Sequence, residues 1–236
     1  MTPSSVADVI ERMRTTVKHL PPADGVSCFV RLYLAVTEGV QQKLAGLTFH
    51  DPRFLARLDV LFADLFFAAL EPGRASRAWA PLFELRSRPG IAPLQFALAG
   101  MNAHINRDLP LAVVATCREL GVPLAEGSPQ HADFLRVNVV LATVEGTVKQ
   151  QYLTGALRTL DRLVHRVDRL DDVVAMWNVA RARDAAWANA EALWALRDDA
   201  HVSAQYVAAL DRSVGLAGRG LLVPADTWLQ RLARRL

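Results

Sequence analysis

The sequence predicts an all-α fold: a single-domain multi-helix bundle over residues 1–236 with a proline-kinked central helix. Three observations lead there. Helix-start and helix-stop residues recur along almost the whole chain, while strand alternation and hairpin dipeptides are absent. Hydrophobic residues make up 52% and charged residues 22% of the chain, ordinary globular usage. At 236 residues there is enough chain to fill one large core.

The elements follow in order. A first helix is predicted from about Ser5 to Leu20, stopped by Pro21-Pro22, and a second from about Ser27 to Ala45, ending at Gly46. Asp51-Pro52 is an N-cap followed by proline at the first helical position, and it opens a helix through Leu70 that Pro72-Gly73 closes. A shorter helix runs from about Ser76 to Leu85, before Arg88-Pro89-Gly90. From Pro93 the pattern is helical to about Leu120, with Pro110 forcing a break or kink because it lacks a donor and crowds the preceding turn. Ser128-Pro129 starts a long helix to about Tyr152. Further helices are expected over Leu153–Leu170, Asp171–Leu196, Ser203–Leu216 and Ala225–Arg235, with Gly215, Gly218 and Gly220 read as a loop.

Lys plus Arg exceed Asp plus Glu by 27 to 24, and the +3 net charge is spread along the chain without a basic stripe, which excludes a nucleic-acid partner from the expectation. Cys28 and Cys117 sit in apolar helical contexts and read as free thiols. No basic-then-apolar leader is present, and no run approaches the ~20 apolar residues of a spanning helix. A cytoplasmic protein without stable membrane insertion is expected.

The segment Gly100-Met101-Asn102-Ala103-His104-Ile105-Asn106-Arg107-Asp108-Leu109-Pro110 carries the chemistry. His104 and Asp108 are four residues apart and share a helix face with Leu94, Ala97, Leu98, Met101 and Ile105, while Gln95, Asn102 and Asn106 lie opposite. Polar groups turned into a core must be hydrogen-bonded, paired or metal-bound. The pair therefore reads as a base oriented by a carboxylate, as two metal ligands, or as a structural tie at the kink.

A second polar line, His131, Asn138, Glu145 and Lys149, runs along the helix after Ser128 and is equally consistent with a cavity wall and a solvated face. Asp133 near that helix's start reads as complementing its dipole. Asp59 borders the apolar face of Phe54, Leu58, Leu61, Phe62 and Leu65, and reads first as a surface-edge carboxylate. On the late helix Arg181 and Asp184 read as an ion pair, with Trp187 and Trp194 in the core. No GxSxG, phosphate-binding loop or dinucleotide fingerprint occurs, which removes the common serine-hydrolase, nucleotide and dinucleotide readings, and without an HExxH a metal site must lean on carboxylates.

Asp51-Pro52 with Leu58-Asp59 and Phe62-Ala63, then Ala78-Trp79 with Phe83, then the segment from Gly100 to Asn106 with Asp108-Leu109-Pro110 resemble domain-of-unknown-function family 5995. Asp133-Phe134 with Val137-Asn138, and Trp177 with Ala180-Arg181 and Ala186-Trp187, continue the similarity in order along most of the chain. The resemblance implies a largely uncharacterised protein of actinobacteria and related high-GC bacteria. It also implies a shared site at His104, Asn106 and Asp108.

The expected function is a small-molecule enzyme with a His/Asp acid–base or metal-ligand pair in an apolar helical cavity, with hydrolase or cyclase chemistry on an apolar metabolite of secondary metabolism. His104 and Asp108 are the expected catalytic groups, with Asn106, Asn138 and Glu145 as polar positioners. The cofactor is open between none and a divalent metal held by His104, Asp108 and Asp59. A cofactor-free cyclase and a non-enzymatic helical ligand- or partner-binding protein are the alternatives, and a homodimer is compatible with each.

Overall fold

Ser5 opens the first helix through a capping box: its hydroxyl accepts from the Asp8 N–H at 3.2 Å, and the Asp8 carboxylate accepts from the Ser5 N–H at 3.1 Å. The helix α1 spans Val6–His19. In the computed structural model the described residues are 3–44, 46–141 and 178–224, and no strand occurs among them. Helix α2, Gly25–Leu44, starts slightly earlier than Ser27 because Asp24 caps it, its Oδ1 accepting from the Val26 N–H at 2.8 Å. Helix α3, Pro52–Ala69, is capped by Asp51 as its sequence predicts.

Helix α4, Ala80–Leu85, is shorter than expected, since the residues before it form a turn held from outside. The Asp211 carboxylate accepts from the backbone N–H groups of Arg77 and Ala78 at 2.9 and 3.1 Å. Helix α5, Pro93–Ala103, passes without a gap into a π-helical turn, His104–Asp108, and then into α6, Leu109–Leu120, which ends on Gly121 at φ 66°. Residues 129–141 form α7. Asn178 caps α8, Val179–Ala195, so that helix starts later than Asp171, and Asp199 caps α9, Ala200–Leu221. The expected helix over Leu153–Leu170, the one over Ala225–Arg235, and Glu145, Lys149, Tyr152 and Trp177 lie outside the described residues.

One local reading is corrected here, and the form of the expected break at Pro110 is defined. Gly215, Gly218 and Gly220 are inside α9, which runs past Leu216. Gly215 is in the helix for close approach: a Cβ there would fall 2.3 Å from the Arg77 carbonyl oxygen. Pro110 interrupts the helix through the π-turn, in which the Leu109 N–H reaches the His104 carbonyl five residues back. In an unbroken α-helix the proline ring would press on the carbonyl four residues before it, and the wider turn relieves that crowding.

The run from α5 to α6 occupies the middle of the bundle, with α2, α3, α8 and α9 packed around it. Close packing between α2 and α5 depends on Gly25 against Phe96 and Gly100 against Phe29, where added Cβ atoms would fall 2.6 and 2.4 Å from the rings. Phe29, Phe54, Phe66, Phe67, Trp79 and Phe134 are fully buried around this axis. Among the described residues no helix is long and apolar enough to cross a membrane.

Candidate functional site

His104 and Asp108 are placed by the π-turn in the bundle interior, where they are 1% and 0% exposed. Asp108 Oδ2 accepts from Trp79 Nε1 at 2.9 Å, and Asp108 Oδ1 accepts from the Arg107 guanidinium at 2.8 Å. A carboxylate so engaged acts only as an acceptor, so His104 Nδ1, 3.2 Å from Oδ2, carries the proton and donates it. The imidazole lies flat on Phe62, ring centroids 3.5 Å apart at 6°, with Tyr33 edge-on at 4.7 Å. Orientation and tautomer are thus both fixed. Burial pushes the His104 pKa below its usual 6.5 against the opposing pull of Asp108, which leaves a neutral imidazole with a bare lone pair at Nε2.

That Nε2 atom is sealed from solvent without a hydrogen-bond partner, and so are the Tyr33 hydroxyl of α2 and Asp59 Oδ2 of α3. Buried polar atoms left unpaired are few in native proteins. These three come from the π-turn, α2 and α3, and Tyr33 is in ring contact with His104. Asp59 corrects the surface-edge reading: the residue keeps part of its surface wet, but Oδ2 is enclosed. Burial raises its pKa to about 6, opposed by the charge of Arg183. Burial likewise raises the Tyr33 hydroxyl well above its usual value, reinforced by Asp59 and Asp108.

Arg183 of α8 completes the cluster. It is buried, its guanidinium lies 4.1 Å over the Phe134 ring, and its Nε donates to Asn138 Oδ1. Asn138 Nδ2 donates in turn to Asp184 Oδ1 at 2.9 Å. Asn138 thus faces inward, and Asp184 takes Asn138 in place of the expected ion pair with Arg181. The sequence reading missed Arg183 and Tyr33. Arg183 was detectable, because it occupies an apolar register position between Val179 and Trp187, whereas a tyrosine in an apolar frame gives no warning.

Other expected site residues are dispersed. Asn106 donates to Asn102 Oδ1 at 3.0 Å, and Asn102 donates to the Val214 carbonyl at 3.0 Å, so the face opposite His104 ties α5 to α9. Gln95 does the same, donating to the carbonyls of Leu221 and Val223. His131 turns to Trp187, 4.7 Å between ring centroids, and is only half-buried. Asp133 is fully buried and accepts from the backbone N–H groups of His50 and Asp51, fixing the approach to α3 instead of serving the helix dipole alone. Glu145 lies outside the described residues.

His104 and Asp108 point at each other, which leaves Nε2 as the imidazole nitrogen able to meet a metal or a proton. Among the described residues no group of three His, Cys, Asp or Glu converges as a metal site, so His104, Asp108 and Asp59 do not form the ligand set expected of them.

The raised Asp59 pKa predicts a pH signature. Between about pH 4 and 6 the unfolded chain ionises this carboxyl while the folded chain keeps its proton, so stability falls as pH rises through that window. Asp59→Asn removes the penalty. It is expected to stabilise the protein by about 1–2 kcal/mol at pH 7.5, discounted from the full shift for the residue's partial exposure, and to change little at pH 4.5. Urea unfolding at the two pH values measures this, and an equal effect at both would show that the carboxyl is not held in a sealed setting.

A family model described as a family of unknown function (DUF5995) matches residues 6–224. No curated protein matches the chain, and no solved structure matches it.

Proposed function

The chain belongs to this family of unknown function, and from a membership that brings no reaction with it we propose a small-molecule enzyme working by proton transfer, of hydrolase or cyclase type, with His104 as its base. The observation that carries the reading is the unpartnered Nε2 of a buried, neutral histidine whose other nitrogen is held by a carboxylate. Asp108 orients the ring and stabilises the imidazolium formed when Nε2 takes a proton, while Trp79 and Arg107 keep Asp108 in place. Asp59, with a pKa of about 6, holds a proton in part near neutrality and can supply it as acid. The Tyr33 hydroxyl, kept neutral, donates a hydrogen bond to developing negative charge.

In hydrolysis Nε2 removes a proton from water as its oxygen attacks, and the proton passes to the leaving group. In cyclisation the same nitrogen takes the proton from the substrate's own nucleophile. Phe29, Phe62 and Phe66 around the imidazole give the apolar walls that suit a metabolite with few polar groups. The buried thiol of Cys117, which forms no disulfide, suits the reducing cytoplasm we assign to it.

The test compares wild type with His104→Gln on a panel of small esters, lactones and unsaturated metabolites, following products by mass spectrometry. Turnover is expected to fall 10²–10⁴-fold, in the range of a lost general base, with melting temperature kept within a few degrees. A variant that loses stability and leaves every turnover unchanged would overturn the proposal in favour of a structural His–Asp tie. Metal content of the purified protein, measured alongside, separates metal-assisted from metal-free hydrolysis.

A further inference from the structure

Besides His104, two donors hold the Asp108 carboxylate: Trp79 Nε1 on Oδ2 at 2.9 Å and Arg107 Nη1 on Oδ1 at 2.8 Å. Both donors lead back to a single side chain, Asp211 of α9. Its Oδ2 and Oδ1 accept from the backbone N–H groups of Arg77 and Ala78 at 2.9 and 3.1 Å, which fixes the two residues immediately before Trp79. The same Oδ1 lies 3.5 Å from Arg107 Nε, within ion-pair distance. The Asp211 side chain is 14% exposed, so solvent and salt screen these contacts little.

The turn at residues 77 and 78 is gripped from a second point on the same helix. Gly215, one turn after Asp211, lets α9 lie against the Arg77 carbonyl, which a Cβ would meet at 2.3 Å. Amides and carbonyl of this stretch are thus both set by α9, and the backbone that brings the buried Trp79 indole to Asp108 is anchored there. Arg107, for its part, bridges two carboxylates. A guanidinium shared in this way is steered by both, and it neutralises Asp108 only in part, which leaves that carboxylate able to stabilise an imidazolium at His104. We propose that Asp211 is the positioning residue of the His104–Asp108 pair, acting through Trp79 and Arg107 together.

This inference rests on the catalytic reading above and adds to it a residue that acts at one remove. His104 is oriented by Asp108, Asp108 by its two other donors, and those two donors by one carboxylate far along the chain. A turn cap accounts for the bonds from Arg77 and Ala78 but not for the ion pair with Arg107, and an ion pair does not account for the two amide bonds. The Asp108 carboxylate is the point at which both lines end.

Proton–nitrogen NMR of the full chain provides the test and needs no ligand. The Trp79 indole N–H and the His104 Nδ1–H, assigned by their loss in Trp79→Phe and His104→Gln, report the two hydrogen bonds to Asp108 Oδ2 directly. Asp211→Ala is expected to move both resonances and to speed their exchange with solvent by about tenfold. Asp211→Asn, which keeps one acceptor and loses the charge, should shift them in part, and it keeps the test decisive if the alanine variant fails to fold. Asp199→Ala removes the N-cap of the same helix and so controls for a general loosening of α9; it should leave both resonances in place. On whichever compound of the panel above the wild type consumes, Asp211→Asn is expected to lower kcat by about 10–100-fold with KM nearly unchanged. Resonances unmoved in both Asp211 variants, or moved as far by Asp199→Ala, would overturn the inference. Loss of turnover in His104→Gln while the Asp211 variants keep wild-type resonances and kcat sinks this inference alone. A shift of both resonances in the Asp211 variants, with turnover of His104→Gln unaffected, sinks the catalytic reading alone.

Discussion

Asp108→Ala is expected to destabilise the protein by about 3–5 kcal/mol, the range for breaking a buried charged pair by removing one partner. The carboxylate is fully buried and accepts from three donors on two separate segments: Trp79 before α4, and Arg107 and His104 in the π-turn. Its loss strands an indole N–H, an imidazole N–H and part of a guanidinium in the interior, each carrying its own desolvation penalty. Arg107 also reaches Asp211 at 3.5 Å, and Asp211 caps the turn at Arg77 and Ala78, so the damage extends to the seat of α9. For a chain of this length the melting temperature should fall by about 10 °C or more. Urea unfolding followed by circular dichroism measures it, and a loss below about 1 kcal/mol would mean that the neighbouring donors find other acceptors.

Gly215→Ala is the second large effect. On helix propensity alone the change should gain up to about 1 kcal/mol. Instead a net loss of about 2–3 kcal/mol is expected, because the new Cβ would meet the Arg77 carbonyl oxygen at 2.3 Å and a backbone carbonyl cannot turn aside as a flexible side chain can. Gly220→Ala serves as the control: nothing lies within 4 Å of a Cβ there, so the propensity gain should appear undiminished. Denaturant midpoints of the two variants against wild type decide the matter. Equal, stabilising shifts would show that α9 can slide away from the 77–78 turn without loss.

The contrast between these glycines shows how far the sequence is legible. Caps are local chemistry, so Ser5 and Asp51 announce their helices correctly. The His104/Asp108 pair is legible for the same reason, since four residues of helix bring both groups to one face. A glycine in a tight helix crossing has the same letter as a glycine in a turn, and only the neighbour at Arg77 distinguishes Gly215. The rest of the site is distant in sequence. Tyr33, Asp59 and Arg183 come from three helices, and nothing local says that they meet. Arg183 breaks an apolar register, which is a signal, but Arg181 and Asp184 beside it offer a simpler pairing that the tertiary structure declines in favour of Asn138.

The π-turn has one consequence that reaches beyond its own residues. Such a turn is an α-helix holding one residue more than its hydrogen-bond ladder can count. The supernumerary residue shifts the phase of everything after it, so α5 and α6 run on as one rod while addressing different neighbours: α5 meets α2 and α9, and α6 meets α3 and α8. The length of this segment is therefore a more exacting constraint than its composition. Shortening it by a single residue would straighten the rod, set Pro110 against a carbonyl, rotate all of α6 out of its sockets and pull His104 and Asp108 out of register, four losses from one missing letter.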